Sequence, residues 1–286
     1  MLLRLVFLGL SLGAFYALVA LGFSLVFGVT RIFNLAHGEM VLLGAYAAYW
    51  VVSSDISFVM AFPLSILLLL LTGSVMAYLG LRIKEPYVLN SLLVTLGLAL
   101  IMQNLYLAVF GGDFHLINIP ALSRGINLGL FWASGERLAV MVLSLVLLAG
   151  TYRFMSSSTI GKEIRATIQD RQAAMLSGID TRRMTILANL LGAFLIALAG
   201  PLFATVHYIY PQAGMEITLL AVLVTILVGV GRTGAVILGG IILGLLEVMT
   251  AYYLRGEWQE AIIAVLIVGL LLARPTGLFQ GEGEAS

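Results

Sequence analysis

Three groups of polar residues stand where hydrocarbon is expected. The first is Asn34-Leu-Ala-His37-Gly-Glu39, between two apolar runs. Asn34 suits the N-cap of the helix that follows, with Glu39 in its first turn, where the helix dipole favours an anion. The same three side chains also suit a broken helix that lines a solute path. The second is Glu247, the lone acid in the apolar run around Gly244-Leu-Leu-Glu247. A carboxylate at membrane depth either marks a solute or ion path or pairs with a polar residue of another helix, here Arg232, Asn104 or His37. The third is the adjacent pair Gln103 and Asn104, two amides that one helix cannot easily hide. Asn34, His37, Glu39, Gln103, Asn104 and Glu247 are therefore the candidates for a translocation path. Asn90, Thr95 and Asn189 read as interhelical hydrogen bonds.

Covalent and metal chemistry are poorly provided for. There is no cysteine, and the three histidines, His37, His115 and His207, form no H-x-x-x-H pair. No metal site is expected, no catalytic residue is assigned, and the chain does not read as an enzyme. Gly229-Val-Gly231-Arg-Thr-Gly234 lacks the lysine of a phosphate-binding loop and lies in an apolar stretch, so it reads as a hinge or helix break.

The elements that must position these residues are membrane helices. Hydrophobic residues make up 61% of the chain and charged residues 10%, with a mean hydropathy of +1.09; soluble domains hold about 45–50% and about 25%. Apolar runs fall at 5–29, 40–53, 58–80, 87–110, 138–154, 184–206, 217–231, 235–254 and 261–273. They are continuously apolar, as spanning helices of about 20 residues are, not alternating as barrel strands are. The expected fold is an all-α polytopic bundle of about 8–10 spans, some broken, in a single transmembrane domain over 1–286. The runs beside Asn34–Glu39 and Gly229–Gly234 are short enough to be half-spans. Numbering the polar breaks alternately puts 11 of the 15 basic residues on one side. By the excess of Lys and Arg that side is cytoplasmic, with the C-terminus inside. Gly240 and Gly244 have the GxxxG spacing that lets helix backbones approach closely.

One long polar interruption remains, 155–183. From Ser156 to Arg183 it holds Lys162, Glu163, Arg165, Asp170, Arg171, Asp180, Arg182 and Arg183, eight of the chain's 15 basic and 14 acidic residues. Ser157, Ser158 or Thr159 suits an N-cap, Ile164, Ile168, Ala174 and Met175 recur at near-helical spacing, and Gly178 suits a C-terminal stop. The expectation is one or two short amphipathic helices, lying either on lipid headgroups or in the groove of a protein partner.

Ala173-Ala174-Met-Leu-Ser-Gly178-Ile179 resembles the E-A-A-x-x-x-G loop of ABC importer permeases, with Gln172 in place of the Glu. Together with Arg165-Ala166-Thr-x-x-Asp170, Asn34–Glu39 and the closing Ala273-Arg274-Pro275-Thr276-Gly277-Leu278-Phe279, the whole chain is similar to the high-affinity branched-chain amino acid permease family, in its shorter subunit. Gln172, and Gln280 where a glycine is common, depart from that pattern. The resemblance implies a permease subunit of a binding-protein-dependent importer in a bacterial cytoplasmic (inner) membrane. Its partners would be a second related permease, two cytoplasmic ABC ATPases and an extracytoplasmic substrate-binding protein. ATP would be bound by the ATPases, with no cofactor on this chain. The loop would be a coupling segment with Lys162, Arg165, Asp170, Arg171, Ala173, Ala174 and Gly178 at the contact. The connections 111–137 and 207–216 would face the binding protein, with Asp113, Arg124, Glu136, Arg137 and Glu216 as candidate docking charges. Alternative readings are an ABC permease for urea or short amides and an ion-gradient-driven secondary transporter.

Overall fold

The structure is a computed structural model. It describes residues 1–83, 87–120, 122–123, 125–127, 129, 131–229, 231, 233–254, 265, 268 and 269. The apolar run 261–273 is nearly all outside the described residues, and Arg124, Arg232, the motif 273–279 and Gln280 are wholly so. The helices are α1 (Leu2–Thr30), α2 (His37–Ser53), α3 (Ala61–Arg82, preceded by a 3-10 turn at Phe58–Met60), α4 (Tyr87–Phe110), α5 (Gly135–Ser157), α6 (Thr159–Gln169), α7 (Arg171–Leu176), α8 (Thr181–Val206), α9 (Ala213–Val228) and α10 (Thr233–Leu254). A short antiparallel hairpin, β1 (Gly125–Asn127) and β2 (Trp132–Ser134), leads into α5.

Among the described residues, six helices are long and apolar enough to cross a membrane: α1, α3 with its preceding turn, α4, α5, α8 and α10. The apolar α9 has 16 residues and α2 has 17, so each is about 25 Å long at 1.5 Å per residue, short of a hydrocarbon core of about 30 Å. These are the two runs read as half-spans. The expected all-α polytopic architecture is what the chain forms.

α1 is the central helix, buried along most of its length. Its small residues Gly9, Gly13 and Ala17 face Gly240 and Gly244 of α10. A Cβ added to Gly13 would stand 2.6 Å from the Ile241 Cα, and one on Gly240 would stand 2.6 Å from the Ala17 Cβ. The GxxxG of α10 thus meets a matching row of small residues on α1, which replaces side-chain contact by backbone contact. α8 packs on α1 through Gly22 and Gly192, and on α2 through Gly44 and Gly200. Next to Gly200, Pro201 lacks the N–H that would bond the Ala197 carbonyl; the Ser65 hydroxyl of α3 donates to that carbonyl at 2.7 Å. α3, α4 and α5 lie outside, with Leu67, Leu71, Leu93, Ile101, Val142 and Val146 exposed on their outer faces, as lipid requires.

At one end of the bundle, His115 and Ile209 exchange backbone hydrogen bonds of 2.9 and 2.8 Å, which tie the 111–134 connection to the α8–α9 connection. At the other end lie α6 and α7.

Candidate functional site

The first group sits at an entry built into the bundle. Arg31, at φ 57°, ends α1 in the left-handed conformation. The chain then runs back inward without helical bonds to Ala36, and α2 starts near mid-depth: His37 Nε2 lies 3.0 Å from the Val19 carbonyl, halfway along α1. Unpaired backbone groups are costly there, and three hydroxyls meet them. Ser91 Oγ accepts from the Phe33 N–H (3.3 Å), Thr95 Oγ1 from the Leu35 N–H (3.1 Å) and Thr218 Oγ1 from the Gly38 N–H (2.8 Å).

Asn34 does not cap α2. The N-cap position falls on Ala36, and the Asn34 carboxamide, two residues too early, accepts from the Ala36 N–H at 3.0 Å and folds the turn before the helix. Glu39 lies in the first turn of α2 and is 2% exposed. Its carboxyl fills the space where a Gly214 Cβ would be, and its Oε2 has no hydrogen-bond partner among the described residues. The Tyr106 hydroxyl donates to the Glu39 backbone carbonyl at 2.8 Å.

Glu247 is elsewhere. It faces a cavity of about 520 Å³ between α1, α9, α10 and the end of α8, on the side of the bundle away from α6 and α7. Tyr16 of α1 lines the same cavity as Glu247. Tyr210 donates to the Glu216 carboxylate, with 2.8 and 2.9 Å to its two oxygens. Phe15, Phe203 and His207 form an aromatic wall, with ring centres 5.9 Å apart for the first pair and 4.8 Å for the second. Burial, with the Arg137 charge nearby, pushes the His207 imidazole down to about 4, so at neutral pH it adds no positive charge. Among the described residues, two carboxylates and no Lys or Arg line the cavity. Such a site accepts an ammonium group joined to an apolar body.

The structure does not bring the six path candidates together. Asn34, His37 and Glu39 share the α2 entry, and Glu247 faces the cavity. Asn104, on α4, is exposed and bonds its own helix at the Leu100 carbonyl, while Gln103 is half-buried beside it. Neither lines the cavity. Tyr16, His207 and Tyr210 were missed as site residues, and Glu216 was read only as a docking charge. The spaced pair Tyr208 and Tyr210 at the mouth of α9 was the available signal.

The polar interruption forms two helices. The Ser158 hydroxyl accepts from the Gly161 N–H at 2.9 Å and caps α6. Asp170 breaks the run and caps α7, accepting from Gln172 and Ala173 at 2.8 and 3.0 Å. α7 ends in a Schellman motif: Gly178 takes φ 85°, its N–H bonds the Met175 carbonyl, and the Ile179 N–H bonds the Ala174 carbonyl. Asp180 then caps α8. Lys162 is exposed and Ala174 buried. Arg165 and Arg171 reach back to the Ser156 and Val29 carbonyls, each at 3.5 Å. The tip of α7 presents Met175, 50% exposed, and Leu176, 91% exposed.

An apolar helical bundle with a broken helix at mid-depth, a polar cavity and a stiffly capped helical pair at one end has the build of a multi-pass membrane transport component. The chain belongs to the family described as "Branched-chain amino acid transport system / permease component", whose model matches residues 5–271. It is 28% identical to the high-affinity branched-chain amino acid transport system permease protein LivH of Escherichia coli (strain K12), over 95% of this chain and 93% of the relative. The LivH of Salmonella typhimurium shows the same identity and coverage. BraD of Pseudomonas aeruginosa, a permease protein of the same description, is 26% identical over 94% and 93%. No solved structure matches. The family read from residues 173–179 and their companion motifs is the one found.

Proposed function

We propose that this chain is one permease subunit of an ATP-driven importer that carries branched-chain amino acids across a bacterial inner membrane. A second related permease completes the pathway, two ATPases dock on α6 and α7 from the cytoplasm, and an extracytoplasmic binding protein delivers the substrate. The chain needs no cofactor of its own, since ATP sits in the ATPases. The cavity beside Glu247 supports the substrate class: its carboxylates suit an ammonium and its aromatic and leucine walls suit a branched aliphatic side chain.

The observation that carries the reading is the tip of α7. Leu176, 91% exposed, and Met175, 50% exposed, form an apolar tip on a six-residue helix capped at both ends, a surface that a docked partner would cover. The 155–183 segment would then be the coupling segment. Lys162, which is exposed, would meet the partner directly. Asp170 and Gly178 act by shaping α7, and Ala173 and Ala174 by keeping it slim. Copurification from membranes that express the whole transport system tests this. Leu176→Asp should leave the permease pair inserted but strip the ATPases and abolish uptake of leucine. Full ATPase recovery and uptake with Leu176→Asp would overturn the docking role.

A further inference from the structure

Several side chains join α6 to the rest of the bundle, among them Ile164, 1% exposed, and the buried Thr167; Ile168 is the one that reaches the α9–α10 joint. Ile168, in the last turn of α6, lies between two glycines of different elements. A Cβ built on Gly28, near the end of α1, would stand 3.2 Å from Ile168 Cδ1 and Cγ1. One built on Gly231, in the α9–α10 joint, would stand 2.6 Å from Ile168 Cγ2. The isoleucine therefore fills a socket whose two walls are bare backbone. The socket is held on both sides: Arg31 donates to the Ile168 carbonyl at 3.3 Å, and Ser24 accepts from the Gly231 N–H at 3.3 Å. The joint itself is built to turn, since Gly229 and Gly231 take φ of 93° and 83°, values that side chains other than glycine rarely adopt.

The two helices that meet at this joint are the ones that carry Glu216 and Glu247 to the cavity at the opposite end. A rigid helix turned at one end moves its other end, so a small displacement of Ile168 changes the separation of those carboxylates. Packed elements transmit shifts of this kind because they cannot be compressed. We propose that Ile168, seated between Gly28 and Gly231, is the positioning residue that passes motion of α6 to the α9–α10 joint and so to the cavity. This rests on the docking role of α6 and α7 proposed above.

The test uses the complete complex, both permeases, both ATPases and the binding protein, in proteoliposomes with leucine as the probe. Uptake and ATP hydrolysis are measured together. Ile168→Ala should keep the assembled complex and its hydrolysis but lower leucine moved per ATP by about tenfold, the scale of a lost coupling between sites. Ile168→Val keeps both γ-carbons and should restore the ratio to within about twofold of the parent. An unchanged ratio in Ile168→Ala overturns the proposal, and so does loss of the assembled complex, which would make Ile168 a packing residue only. If the unmutated permease recovers no ATPase, it is the docking reading that falls, and the two failures are distinguishable.

Discussion

At the scale of single residues, the cavity is defined by two carboxylates, Glu216, which accepts from Tyr210, and Glu247. Glu247→Gln keeps the shape while it removes the charge. A charged hydrogen bond is worth about 1.5–3 kcal/mol, so uptake at saturating binding protein should fall by roughly tenfold, with ATPase recovery unchanged. Unaltered uptake by Glu247→Gln would remove Glu247 from the path. The sequence marked Glu247 because a lone acid in hydrocarbon is costly. It gave no sign of Tyr16, which is 231 positions away in the chain and whose hydroxyl reads as ordinary in an apolar helix. Asn34 shows the opposite difficulty. Its residue type was right for a cap, but the helix starts two residues later than the polar cluster suggests, and the carboxamide serves the turn instead.

At the scale of elements, boundaries were legible because run length and glycine are local signals. The breaks at Gly178 and Gly229 fall where the sequence shows a stop and a helix break, while the Asp170 cap and the left-handed turn at Arg31 appear only in the structure. What repairs a break is not local. Pro201 orphans the Ala197 carbonyl, and the hydroxyl that meets it comes from Ser65, 132 positions away. Ser65→Ala should therefore cost about 1 kcal/mol of stability, read as a lower thermal unfolding midpoint in detergent. Combining it with Pro201→Ala, which gives α8 back its own N–H, should recover most of that loss. A Ser65→Ala midpoint equal to the parent's would show that the carbonyl is satisfied in another way. The small-residue seam between α1 and α10 is half-legible: Gly240 and Gly244 announced a close approach, while Gly9 and Gly13 became meaningful only once α1 was known to be the partner.

At the scale of the whole molecule, the two ends of the bundle differ. One end carries α6, α7 and the basic residues Lys162, Arg165, Arg171, Arg182 and Arg183; the other carries the β hairpin and the cavity mouth. From the excess of basic residues we propose that the first end is cytoplasmic. Because the chain holds no cysteine, single-cysteine variants give an unambiguous readout. Ser177→Cys should react with a membrane-impermeant thiol reagent only in inside-out vesicles, and Asn127→Cys only in right-side-out ones. The reverse pattern would invert the topology and with it the docking role of α7. Family membership was visible in the sequence because its motifs are spread along the chain in a fixed order. The cavity was not, because its walls come from α1, α8, α9 and α10, which only folding brings together.

The extended stretch between α1 and α2 has a consequence for how the protein is made. The N–H groups of Phe33 and Leu35 in it are met by Ser91 and Thr95 of α4, and that of Gly38, in the first turn of α2, by Thr218 of α9, 180 positions further on. Synthesis runs from the N-terminus, so these groups enter the membrane long before their last partner exists. Until Thr218 arrives, the N–H of Gly38 must stay solvated, shielded by a chaperone or bonded to something temporary. The first turn of α2 is therefore among the earliest parts of the chain to be inserted and among the latest to be finished, and a nascent chain released before α9 carries an open polar seam at the heart of its bundle.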